Sequence, residues 1–177
     1  MHRRTLAPLN INAVPGDEVI QKQSSNLIPT TILPDYLRSI FPYENFNSVQ
    51  SECFQLAFET NENLVISAPT GTGKTVIAEL AIAHILQEMC INNDQQDLLY
   101  QDSSLTNELK PPLIVYVSPL KSLCQERALS WIQKFKKIPE LSNLDIIELT
   151  SDTQGAFPRK VKKPTIVCTT PEKLDLA

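Results

Sequence analysis

The stretch "NLVISAPTGTGKTVIAELAIAHIL", residues 63 to 86, constrains the fold more than any other, because it sets two of only four glycines between an apolar run and a helix-forming run. Gly71 and Gly73 permit a tight turn whose backbone N–H groups face inward, and the helix that follows brings a dipole favouring an anion. Such a turn is a phosphate cradle. Lys74 is placed to reach β- and γ-phosphates, and Thr75 to set its hydroxyl on a magnesium ion. The pattern GxxxxGK[ST] is met except at its first position, where the small residue Ala68 fits the same turn. At roughly one in twenty per fixed position, T-G-x-G-K-T arises by chance on the order of once in millions of windows.

The rest of the chain alternates strands and helices around this loop. Leu64 to Ser67 reads as a strand, "LIVYV" (113 to 117) as a second, "LDIIELT" (144 to 150) as a third and "PTIVCTT" (164 to 170) as a fourth. "LPDYLRSIF" suits a short helix with Pro34 at its start, "NSVQSECFQLAFET" places Val49, Cys53, Leu56 and Ala57 on one helical face, and Leu123 to Lys137 form a helix with Leu129, Ile132 and Phe135 on one side. The helix after the loop, from Lys74, is apolar around most of its circumference and is expected to be buried. Apolar strands separated by helices predict an α/β fold, a doubly wound parallel sheet. Residues 1–33, rich in Asn, Gln, Ser and Pro, read as a flexible arm, and residues 92–112 as a polar loop.

Composition excludes more than it selects. A 177-residue chain with 42% hydrophobic residues suits one soluble domain, no apolar stretch approaches the roughly 20 residues of a membrane span, and no apolar segment follows Arg3 and Arg4 to make a secretory signal. An intracellular protein is expected. The four cysteines, Cys53, Cys90, Cys124 and Cys168, form no CxxC pair and read as buried free thiols; His2 and His84 suggest no metal site either. The net charge of −4 confines any nucleic-acid contact to local, main-chain and short polar groups. Lys134, Lys136 and Lys137 read as a solvated helix end, and Arg159, Lys160, Lys162 and Lys163 as a charged lead-in to the fourth strand, with a phosphate-binding patch or an import signal as the sharper alternatives.

The loop alone leaves kinases, GTPases, transport ATPases and helicases open. "VYVSPLKSLCQE" and "IVCTTPEKLD" leave the second and fourth strands at the same sheet edge as the glycine loop, where parallel sheets bind ligands, and "FNSVQ" sets Phe46 and Gln50 ahead of the first strand. With these segments the chain, over about residues 34–177, resembles the first RecA-like domain of superfamily-two helicases. "TTPEKLD" looks like the Ski-like branch, and "LPDYLRSIFPYENFNSVQSECF" with "NENLVISAPTGTGKTVIAELAI" is similar to its meiotic crossover ATP-dependent DNA helicases. The resemblance implies ATP with Mg2+ bound through Gln50 (adenine), Ala68, Pro69, Thr70, Gly71, Thr72, Gly73, Lys74 and Thr75. It also implies that Ser118, Pro119, Leu120 and Lys121, with Thr170, Pro171, Glu172 and Lys173, line a groove for a nucleic-acid backbone. Single-stranded DNA, 3'-5' translocation, meiotic recombination and a nuclear location follow from the same likeness. Bland readings stand beside these: Gln50 as a solvated helix residue, and "SPL" as a common strand exit.

Hydrolysis in such enzymes needs a carboxylate pair holding magnesium, and arginines from a second RecA-like domain. No Asp-Glu pair follows Thr170, and Asp17-Glu18 lies in the polar arm. The expectation is therefore an N-terminal part that binds nucleotide without hydrolysing it. An RNA helicase of the same branch and a non-hydrolysing nucleotide-binding interaction module remain open alternatives; a small-molecule kinase has only the loop in its favour.

Overall fold

The structure, a computed structural model, describes residues 27–99 and 110–175. Its elements in chain order are α1 (Asp35–Arg38), α2 (Ser48–Phe58), α3 (Lys74–Leu99), β1 (Leu113–Val117), α4 (Lys121–Phe135), β2 (Asp145–Leu149), β3 (Thr165–Thr169) and α5 (Pro171–Asp175), with 3-10 turns at Thr30–Ile32 and Pro139–Leu141. The three strands form one all-parallel sheet in the order β1-β3-β2. Every residue of the central strand β3 is buried, which is why its sequence is apolar without alternation.

The predicted strand at Leu64 to Ser67 does not form. Leu64 and Ile66 pack against the core while Val65 is 93% exposed, so the side chains alternate as in a strand, but among the described residues no neighbouring backbone pairs with the segment. A strand is defined by its ladder, and periodicity cannot supply the partner. The outer strand β1 likewise leaves Val115 and Val117 exposed. Three parallel strands are thus an incomplete version of the doubly wound sheet.

Helix boundaries also depart from the sequence reading. α3 continues to Leu99, so the first eight residues of the expected 92–112 loop are helical; residues 100–109 lie outside the described residues. Of the expected arm, residues 1–26 lie outside them too. Residues 27–33 are not arm-like: Leu33 is buried, Ile28 packs on the core, and Pro29 bridges Asn45. The buried face of α4 is Cys124, Ala128, Trp131 and Phe135, and Leu129 points outward. On α2 the buried residues are Gln50, Phe54, Ala57 and Phe58, so the predicted face is rotated by about one residue.

Packing ties the elements through aromatics and one buried carboxylate. Phe41, Phe46, Phe54 and Phe58 form a chain of ring contacts along α2, and Trp131 meets Tyr116 edge-on at 5.1 Å. Glu79 on α3 is 1% exposed and accepts from Trp131 Nε1 at 2.9 Å and from Lys134 Nζ at 2.8 Å. A buried carboxylate is tolerated only when paired and hydrogen-bonded, and both conditions hold. Lys134 is thereby a half-buried, paired residue rather than a solvated helix end.

All four cysteines are free, but only Cys124 and Cys168 are buried; Cys53 and Cys90 are half-buried. Burial raises the Cys124 thiol and pushes Cys168 up to about 12. Iodoacetamide at pH 8 is therefore expected to spare Cys124 and Cys168 in the native protein and to modify them after denaturation, because the thiolate is the reactive form. Peptide mass mapping checks this; alkylation of Cys168 at the rate of a free thiol would contradict it.

Candidate functional site

Two helix starts meet at the glycine loop. α2 opens with a capping box: Asn47 Oδ1 accepts from Gln50 N at 2.9 Å, and Gln50 Oε1 accepts from Asn47 N at 3.0 Å. α3 opens at Lys74, directly after the loop. Gly71 and Gly73 both sit at φ +83°, a conformation L side chains rarely adopt. Thr72 Oγ1 donates to the Pro69 carbonyl at 2.9 Å, and Lys74 Nζ reaches back to the carbonyls of Ala68 and Pro69 at 2.6 and 2.7 Å. The cation is thus folded over the loop, beside the N-terminus of a 26-residue helix. Thr75, half-buried, follows in the first turn.

Gln50 is no solvated helix residue. It is 5% exposed, and a Cβ built on Gly73 would lie 2.2 Å from its Nε2, whereas one on Gly71 would meet nothing within 4 Å. The two glycines pay the same backbone strain, about 1–2 kcal/mol in an L residue, but only Gly73 is packed against Gln50. Gly73→Ala is therefore expected to weaken binding of a fluorescent ATP analogue about threefold or more beyond Gly71→Ala. Equal losses in the two variants would show that the Gln50 contact is immaterial.

The second half of the site is the carboxyl edge of the sheet. Val117, Thr169 and Leu149 are level in the register, so the segments leaving β1, β3 and β2 emerge side by side. Ser118 N donates to the Thr169 carbonyl at 3.0 Å, and Thr169 Oγ1 to the Leu149 carbonyl at 2.6 Å, which ties the exits together. Ser118 and Thr170 are buried at 3% exposure each. Pro119, Leu120, Lys121, Pro171 and Glu172 are exposed, and Lys173 is half-buried.

Sequence reasoning missed the third exit. Thr150 and Thr153 close a turn after β2, with Thr150 N donating to Thr153 Oγ1 at 2.8 Å, and Asp152 receives Lys121 Nζ at 2.7 Å. That bond holds the Asp152 carboxyl below the usual carboxylate range. The signal was present: "LTSDT" is a polar run directly after a strand end, where parallel sheets place ligand contacts. In the basic cluster before β3, Lys163 pairs with Asp145 at 2.9 Å.

A family model, DEAD/DEAH box helicase, matches residues 47–177. The chain belongs to the DEAD/DEAH box helicase family. The match begins at Asn47, the cap of α2, so a DEAD/DEAH helicase domain here includes the capping box, the glycine loop and all three strand exits. Over 162 residues the chain is 42% identical to "ATP-dependent DNA helicase MER3" of Saccharomyces cerevisiae, covering 92% of this chain and 12% of that protein. It is 37% identical over 164 residues to "Probable ATP-dependent DNA helicase HFM1" of Homo sapiens (89% and 10%), and 34% identical over 154 residues to "RQC trigger complex helicase SLH1" of Saccharomyces cerevisiae (86% and 7%). The chain therefore spans only 7% to 12% of the length of these three relatives. The RecA-like assignment and the likeness to ATP-dependent DNA helicases both hold, with three parallel strands of the sheet among the described residues.

Proposed function

We propose that this domain binds ATP with magnesium at the glycine loop and a single nucleic-acid strand, preferentially DNA, along the carboxyl edge of the sheet, as part of an ATP-dependent DNA helicase. The observation that carries the reading is the loop itself: two positive-φ glycines, a lysine folded over the loop and a long helix N-terminus, braced by the cap of α2. An anion fits this cradle, since the space beside Gly71 is open. Backbone groups of Ala68, Pro69, Thr70, Gly71, Thr72 and Gly73 surround the phosphates, Lys74 neutralises them, and Thr75 holds the ion by its hydroxyl. Gln50, with Nε2 and a free lone pair on Oε1, offers the donor and acceptor that an adenine edge takes.

ATP with its magnesium supplies phosphoryl-transfer chemistry when bound. Thr75, in the first turn of α3 directly after Lys74, is the magnesium-holding group proposed on this chain. Nucleotide binding without turnover is the activity proposed for residues 1–177, with a second RecA-like domain joining it in the full-length enzyme. Pro119, Leu120, Lys121, Pro171, Glu172 and Lys173 form the nucleic-acid contact, while Ser118 and Thr170 hold the exits in place from within. Translocation in the 3'-5' direction, a role in meiotic recombination and a nuclear location are drawn from the relatives' likeness. No described helix is long and apolar enough to cross a membrane.

The likeness to SLH1 keeps RNA as the second reading, because backbone contacts carry no base information. Competition at fixed salt decides: the full-length protein is expected to hydrolyse ATP faster with oligo-dT than with oligo-U, and Lys121→Ala to reduce the salt slope of oligonucleotide binding by about 1. Stimulation by oligo-U alone would select RNA; stimulation by neither would overturn the helicase reading.

A further inference from the structure

We infer that Asn47 is a positioning residue of the glycine loop, a role beyond capping its own helix; the inference rests on the loop being the ATP site. One amide makes both contacts. Asn47 Oδ1 accepts from Gln50 N at 2.9 Å, and Asn47 Nδ2 donates to the Thr72 carbonyl at 3.1 Å. The orientation of the amide is fixed by its partners, since a backbone N–H only donates and a backbone carbonyl only accepts.

Thr72 lies between the two positive-φ glycines, and its peptide with Gly73 is trans. In a trans peptide the C=O and the next N–H point in opposite directions. Holding the Thr72 carbonyl toward α2 therefore turns the Gly73 N–H away from α2. The same capping box pins Gln50, and its Nε2 together with Asn47 Nδ2 faces the position a Cβ on Gly73 would take, at 2.2 and 3.5 Å. Peptide orientation at Thr72–Gly73 is thus set from α2, 25 residues upstream of Thr72. Capping alone does not require this second bond, and a serine cap serves a helix as well as asparagine does.

Asn47→Ser separates the two roles, keeping an acceptor for Gln50 N while its shorter hydroxyl no longer spans to Thr72. In the full-length protein N47S is expected to melt within about 2 °C of wild type, because the cap survives. It is expected to bind the fluorescent nucleotide mant-ADP with magnesium about 3–10-fold more weakly, through faster dissociation. Asn47→Ala loses the cap as well and should lower the melting temperature in addition. Wild-type affinity in N47S would overturn the inference, as would an affinity loss accompanied by the full N47A drop in melting temperature. Amide exchange of a peptide spanning residues 68–76 reads the loop without nucleotide, and N47S is expected to accelerate it; an unchanged rate also overturns the inference. Equal mant-ADP binding by wild type and Lys74→Ala would instead refute the ATP reading, and the exchange measurement would still decide the role of Asn47.

Discussion

Lys74→Ala is expected to lower ATP affinity by roughly a hundredfold while leaving the fold intact. Charge-assisted hydrogen bonds to phosphate contribute about 1.5–3 kcal/mol each, and loss of two such contacts amounts to about two orders of magnitude. The side chain is exposed, and its two bonds go to carbonyls of its own loop, so its removal opens no cavity in the core. Titration with a fluorescent ATP analogue, beside a thermal unfolding scan, separates the two quantities. An affinity within threefold of wild type would mean that the ammonium does not meet phosphate.

The opposite pattern is expected at Trp131. This side chain is fully buried, stacks on Phe135, meets Tyr116 edge-on and donates its indole N–H to Glu79. Trp131→Ala removes the largest buried side chain and is expected to cost about 3–5 kcal/mol, a large share of the roughly 5–15 kcal/mol that holds a domain together. It also withdraws one of the donors that make a carboxylate tolerable at 1% exposure, leaving Glu79 to Lys134 alone. A melting temperature lower by about 10 °C follows from that cost at this chain length. Trp131→Phe keeps most of the packing and loses only the donor, with an expected cost of about 1–3 kcal/mol. If the two variants melted together, the hydrogen bond to Glu79 would outweigh the packing, contrary to this account.

The glycine loop was legible because its chemistry is local: five fixed residues in six positions, with a helix starting where the pattern demands one. Sheet exits were legible for a related reason, since an apolar run followed by "SPL" or "TTP" marks a strand end whatever the register. What escaped depended on partners distant in sequence. Leu64 to Ser67 alternate correctly yet form no strand, because a ladder needs a second backbone that periodicity does not reveal. Lys134 looked like a solvated helix end because its partner, Glu79, lies 55 residues away on another helix. Asn47 looked like an ordinary cap; its second bond crosses 25 residues to Thr72. The burial of Ser118 and Thr170 at that edge was not legible either, since it is decided by what covers the exit.

Amide hydrogen exchange of the full-length protein, with and without ATP-Mg and a single-stranded DNA oligonucleotide, reads the nucleotide site and the nucleic-acid edge in one experiment. Nucleotide-dependent protection is expected in peptides covering residues 47–50 and 68–76, and DNA-dependent protection in peptides covering 118–121 and 170–173. Protection by ATP-Mg elsewhere with residues 68–76 unchanged, or DNA protection that avoids the carboxyl edge of the sheet, would contradict the proposed function.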